Sequence, residues 1–569
     1  MKLGKGGYAA PLLFLSLAVA AIASRHGNVT PAMAAIVLLA LTAICASGAR
    51  IAFTPLAVAV AAYGGIIAVH TLALSPAYTA AGLLHPLLLV AGFVAGRRMA
   101  FDLRGNGTLA LCAYLVALAI WGLVQIGPLG LGRAYAVFET PATYGATINF
   151  ALIGVFALLL AKGGSYWLIA VAVLWAAASF AAESRGAWLA LAIGFATAVL
   201  LSHRVQPLRW HRIGLLIAIV AAGWLFALAV RMAPWPDALA VERAQSPPTE
   251  AARIDSTQSR LELYAASWKA WRTQPLSGTG YLTFRYVLEQ SRAEIPSYGV
   301  ASETWAVHND YLQSLQEVGP AGALALLAVV SLPLLLCYRR SPSLSEEDRV
   351  AAVATSAAIA GMAAHAMVDF PFHVPVTLVL YGVFLGTLDR LLFPGHEDAR
   401  ARAPEPPPWL RAARAALLTV VVLAAFRPLV AEAAAEWGMR RFQQGDAQSA
   451  ALWLGIARRV EPADWRYHWY AGQFWDAQAS VSRKPEAARL AVEAFDTGLR
   501  ANPFEVRNLL GTISAHRRYR DLLEPNAQAA DFRAWLQLAA RLAPLDPAVA
   551  RERARVLEFL AQNSSGTEQ

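Results

Sequence analysis

Residues 213–230 read IGLLIAIVAAGWLFALAV, eighteen positions without a charged side chain, closed by Arg209 and Arg212 on one side and by Arg231 on the other. About 20 apolar residues in a helix cross a hydrocarbon core of ~30 Å, because the helix satisfies its own backbone N–H and C=O groups. Runs of the same kind lie on both sides of it. They fall at about 8–24, 29–47, 51–74, 79–96, 108–127, 143–161, 165–182 and 187–202 before it, and at 320–338, 350–369, 374–393 and 410–426 after it, which makes thirteen expected spans. The composition agrees: 57% of the chain is hydrophobic and 15% charged, whereas a soluble domain carries nearer ~25% charge. Lys2 and Lys5 ahead of the first run resemble the start of a signal peptide, but further spans follow at once, so 8–24 is read as the first span.

Lysine and arginine flanking a span resist translocation, which gives the spans a direction. With the N-terminus in the cytoplasm, the inside loops hold Arg50, then Arg97, Arg98 and Arg104, then Lys162, then Arg204, Arg209 and Arg212. Arg339, Arg340 and Arg349 follow, then Arg390, Arg400 and Arg402. The short outside loops carry only Arg25, Arg133 and, beside Glu183, Arg185. The expected fold is therefore an all-α, polytopic membrane protein with 12–13 transmembrane helices: residues 1–230 hold spans one to nine, 231–319 a large outer loop, 320–426 spans ten to thirteen, and 431–569 a second outer segment. In this last segment the turns Glu461-Pro462, Asn502-Pro503 and Ala543-Pro544 recur every 41 residues after amphipathic stretches. That pattern resembles helix-pair repeats of the tetratricopeptide kind, lengthened from the usual ~34 residues.

Several classes of function are set aside. The net charge of +10 is spread over short loops rather than gathered on one basic face, so it marks topology and not a nucleic-acid partner. Cys45, Cys112 and Cys337 all lie inside apolar runs, with no spacing suited to zinc or to disulfides. No cofactor and no metal are expected, because the outer loops lack the paired carboxylates that would hold a divalent ion. A transporter of lipid-linked glycans is a weaker alternative, since such proteins carry mid-span charges or broken helices in repeated halves. A scaffold that only recruits partners through its tail would leave the outward charged residues without a role.

Those outward residues form three groups. Glu183-Ser184-Arg185-Gly186-Ala187-Trp188 stands at the outer mouth between the seventh and eighth spans, where Arg185 pairs with Glu183, snorkels to headgroups, or binds an anion. The large loop carries Arg260, then Trp268 and Trp271 on a stretch suited to the membrane interface, then Pro275-Leu276-Ser277-Gly278-Thr279-Gly280. It ends in Val307-His308-Asn309-Asp310-Tyr311-Leu312-Gln313 and Glu317-Val318-Gly319. The third group is His365 and Asp369, four apart on one helical face, followed by Phe370-Pro371-Phe372-His373, which either closes a turn or lines a cavity. A histidine exchanges protons near neutral pH, and arginines neutralise a pyrophosphate, so His308 with Arg185 and Arg260 suits transfer from a pyrophosphate-linked donor.

In their order along residues 140–395, the motifs around Arg185, Arg260, His308-Asn309 with Glu317 and Gly319, and His365 with Asp369-Phe370-Pro371, resemble the O-antigen ligase superfamily. That superfamily also contains O-antigen polymerases, exopolysaccharide polymerases and bacterial protein O-oligosaccharyltransferases. The resemblance implies a metal-independent, inverting transfer of a glycan from undecaprenyl pyrophosphate to a periplasmic lipid, polysaccharide or protein, at the bacterial inner membrane. It assigns donor pyrophosphate binding to Arg185 and Arg260 and assistance of the acceptor hydroxyl to His308; Glu183, Asn309, Glu317, His365 and Asp369 are the candidate supporting residues. The helical tail is commoner among the exopolysaccharide and protein-glycosylating relatives, where it offers a surface for a protein partner.

Overall fold

A computed structural model describes residues 53–75, 82–98, 106–138, 140–205, 207, 209–235, 256–291, 306–394, 407–523 and 529–564. The expected spans at 8–24 and 29–47 lie outside the described residues, as do Lys2, Lys5, Arg25, Cys45, Arg50, Arg104, Arg400 and Arg402. Each of the other expected spans is a helix. They are α1 (Pro55–Ala73), α2 (Leu84–Arg98), α3 (Asn106–Ile126), α4 (Pro141–Lys162), α5 (Tyr166–Ala181), α6 (Arg185–Val205) and α7 (Trp210–Met232), then α10 (Asp310–Arg340), α11 (Glu346–His365), α12 (Pro375–Leu392) and α13 (Pro408–Gln443). The loop between α7 and α10 contributes α8 (Ser256–Thr273) and α9 (Phe284–Ser291). The protein is an all-α polytopic membrane protein.

Among the described residues six helices are long and apolar enough to cross a membrane, and three shorter apolar ones accompany them. Helix α11 meets neither description, for a reason visible in its sequence, AAVATSAAIAGMAAH over 351–365. Six of the eight alanines there, with the serine, threonine and glycine, are buried, and α4, α6, α10 and α12 all pack on it. A helix surrounded by protein needs close approach rather than lipid-facing bulk. Helix α7 shows the opposite case, with Ile217, Trp224, Leu225 and Phe226 all exposed.

The described residues divide into two compact units, one drawn from residues up to 70, from 82–253 and from 307–422, the other from 71–81, 254–306 and 423–569. The segment expected as one outer loop, 231–319, is thus shared: 307–319 opens α10 in the first unit, while α8 and α9 belong to the second.

In the first unit, α2 and α12 cross where Gly92 and Gly96 meet Gly382 and Gly386. A Cβ at Gly96 would run into the Val383 carbonyl oxygen, and one at Gly386 into that of Phe93. The pairing of 92 with 382 and of 96 with 386 makes these helices parallel. Gly186 beside His365 and Gly361 beside the Ala190 carbonyl make α6 and α11 antiparallel. Both relations agree with spans that alternate in direction along the chain. At one end of the bundle arginines satisfy helix C-terminal carbonyls: Arg212 donates to Leu160 O at 2.7 Å and Arg340 to Leu392 O at 3.1 Å. There too Arg97 forms a buried ion pair with Asp389 between α2 and α12.

In the second unit, α14 (Ala447–Val460), α15 (Trp465–Ser482), α16 (Pro485–Ala501), α17 (Val506–Arg518), α18 (Ala529–Leu542) and α19 (Pro547–Ser564) follow α13, each packing on the next or next but one. Asp464, Glu505 and Asp546, 41 residues apart, cap α15, α17 and α19: they accept from the backbone N–H of Arg466 at 3.0 Å, Arg507 at 3.1 Å and Ala548 at 2.8 Å. Each capping residue also donates its own N–H to a carbonyl three residues back, of Glu461, Asn502 and Ala543. The loop helix α9 packs beside α18. Helix α13 continues unbroken through 426–431, where the sequence places the end of the last span and the start of the tail.

Candidate active site

The other end of the first unit gathers histidines and carboxylates. Helix α10 begins at Asp310 because Asn309 caps it, accepting the Leu312 N–H at 3.0 Å. The residue before the cap, His308, has φ +60°, a left-handed backbone that a side chain other than glycine adopts only when its surroundings impose it. Opposite stands the turn that joins α11 to α12. His308 Nδ1 lies 3.1 Å from Asp369 Oδ1, and the ring meets Phe370 edge to face at 4.8 Å. Asp369 also accepts from the Phe370 N–H at 3.0 Å and lies 3.4 Å from His365 Nε2. Burial opposes its charge, but the hydrogen bonds from His308 and His365 prevail and hold its carboxyl below the usual carboxylate range.

This arrangement determines what His308 can do. Asp369 is ionised and accepts, so Nδ1 carries a proton; in the neutral imidazole Nε2 is then the basic nitrogen. Asp369 is 5% exposed and His308 28%, so the pair is anchored inside while the ring reaches the surface.

The first turn of α6 lies against His365, the other neighbour of Asp369. Ser184 Oγ accepts the Ala187 N–H at 3.3 Å, and a Cβ at Gly186 would stand 3.4 Å from His365 Nε2. Arg185 opens that turn and is exposed. Glu183 has φ +47°; its carboxylate pairs with Arg231, and its carbonyl accepts from Arg133. The structure therefore brings Arg185, His308, Asn309, His365 and Asp369 to one end of the first unit. Arg260 is half-buried on α8 in the second unit.

Beneath His308 lies a second network, of which only Glu317 was expected as a site residue. Asp310 accepts from His373 Nδ1 at 2.5 Å and from the Phe372 N–H at 2.8 Å. Glu317 accepts from Gln313 at 3.1 Å and lies 3.6 Å from His373 Nε2. His85, at the start of α2, lies 3.1 Å from the His373 carbonyl. The two networks are reciprocal: the histidine of 307–310 pairs with the aspartate of the turn, and the turn's histidine pairs with the aspartate of 307–310. The trace of this in the sequence is one His and one Asp in each of two short segments. Among the described residues no His, Cys, Asp or Glu group is arranged to hold a metal ion.

No curated protein matches the chain. The family described as O-Antigen ligase does match, over residues 170–327, a stretch that contains Arg185, Arg260, His308, Asn309 and Glu317. This match supports the O-antigen ligase superfamily for that part of the chain.

Proposed function

We propose that this protein moves a glycan from undecaprenyl pyrophosphate to a periplasmic acceptor by metal-independent, inverting transfer. The observation that carries the reading is the hydrogen bond from His308 to a buried, ionised Asp369 at the end of the bundle opposite its arginine-capped helix ends. The acceptor hydroxyl gives its proton to His308 Nε2 while its oxygen attacks the anomeric carbon. The bond to the pyrophosphate breaks on the opposite side, and its electrons leave with the undecaprenyl pyrophosphate. Arg185 neutralises that leaving group. Arg260 shares the task on the strength of its place in the sequence pattern. Asp369 holds the imidazole in the required tautomer and stabilises the imidazolium that forms, as the aspartate does in serine-protease triads.

The setting is the bacterial inner membrane, with the N-terminus cytoplasmic and both α8–α9 and the tail periplasmic; the contact of α9 with α18 supports placing these on one side. The acceptor is a lipid, a growing polysaccharide or a protein. The tail, read as tetratricopeptide-like, offers a surface for a protein partner. General-base help is worth roughly 10²–10⁴-fold, so His308→Ala is expected to lower turnover by about that range on a purified lipid-linked glycan and acceptor. His308→Gln, which bonds but accepts no proton, should not restore it. Near-normal turnover in His308→Ala at saturating substrate would sink the reading, and dependence on added magnesium would point to different chemistry.

A further inference from the structure

Asp310 and His373 take no part in the step above, yet they are 0% and 4% exposed. Burying charges costs several kcal/mol per ion unless each is paired and hydrogen-bonded. Several of the bonds they make lead back to His308. Asp310 gives its N–H to the Ala366 carbonyl at 2.9 Å, and its carboxylate takes His373 Nδ1 and the Phe372 N–H, so both ends of the 366–373 turn are tied to the residue two past His308. The other face of the imidazole looks onto Glu317; Glu317 holds Gln313, and Gln313 Oε1 accepts the N–H of Val307 at 3.0 Å, directly before His308. The left-handed backbone of His308 is thus gripped on both sides, and the turn that carries Asp369 is gripped with it.

We propose that His373 is a positioning residue for the transfer: standing between Asp310 and Glu317, it sets the backbone of His308 and the distance from His308 to Asp369, and through them the aim of Nε2. Burial opposes its charge, but the two carboxylates prevail and raise the imidazole to about 10, so it keeps both protons and serves both partners. The proposal rests on the reading of His308 as the base.

A misplacement of about 1 Å costs around 10²-fold in rate. In full-length protein reconstituted in lipid, His373→Gln and Asp310→Asn are each expected to lower kcat roughly 10–100-fold with donor KM within about twofold. The double variant should be no worse than the worse single one, because both changes break one clamp. Adding His373→Gln to His308→Ala should cost nothing further. Unchanged kcat per folded molecule in His373→Gln, with loss only of thermal stability, would overturn the proposal, as would additive losses in the double variant. If Asp310→Asn does not fold, Asp310→Glu keeps the charge and displaces the clamp by one methylene; it should lose kcat while binding donor normally, and full kcat would count against the clamp. The two readings fail separately: an active His308→Ala removes the base itself, whereas an inactive His308→Ala beside a fully active His373→Gln removes only the positioning role.

Discussion

His468 in the tail is held neutral by its burial and by Arg458, against the pull of the Pro462 carbonyl. Arg458 Nε donates to its Nδ1 at 3.1 Å, so its own proton sits on Nε2 and goes to the Pro462 carbonyl at 2.8 Å. Burial, and the Arg458 charge, hold the imidazole below its ordinary value. A histidine depressed in the fold contributes stability that is present above its unfolded value of ~6.5 and is lost as the pH falls through the lower folded one. Hydrogen-exchange protection of residues 462–472 should therefore drop as the pH falls below about 6.5, and more so than in His468→Gln. Equal pH dependence in both would exclude the neutral assignment. The same scale shows what was legible beforehand. Arg185 and His308 stood out because outward charge at span ends needs a reason. Asp310 and His373 did not, because their pairing crosses 63 residues of chain and nothing local announces it.

Elements were easier to read than their limits. Apolar length predicts a helix wherever a described span was expected, since lipid permits little else. Periodicity does not predict that α10 starts ten residues before its apolar run, because that start depends on Asn309 and on bonds to a distant turn. Nor does it predict the crossing of α2 and α12, although the sequence carries Gly92-x-x-x-Gly96 and Gly382-x-x-x-Gly386. In that crossing carbonyl oxygens occupy the space of a Cβ. Overpacking typically costs 1–3 kcal/mol, so Gly386→Ala should cost about that much and lower the melting temperature of the detergent-purified protein. Gly154, also helical, has open space around its Cβ, and Gly154→Ala should leave the temperature unchanged or slightly raised. Equal effects of the two would show that the glycines of the crossing are incidental.

For the whole molecule, the decisive expectation is direction. The parallel and antiparallel helix pairs fit alternate threading, and the Lys/Arg bias gives that threading its sign. Alkaline phosphatase fused after Gln569 should be active and the same enzyme fused near Ser343 inactive; the reverse would turn the His308 end toward the cytoplasm. The division of the large loop between two units was not legible, because it depends on the packing of α9 beside α18, more than 200 residues further along. The recurring tail turns, by contrast, were visible as spacing before their bonds were known. Their regularity has a consequence for how such a tail can change in length. Each cap at Asp464, Glu505 or Asp546 reaches back three residues to its own turn, so one register unit ends where the next begins. A stretch of 41 residues removed or duplicated leaves every cap facing a turn of its own kind. Any other length spares these local bonds but turns one helix out of register with its neighbour, so the reach of the tail grows or shrinks in whole steps.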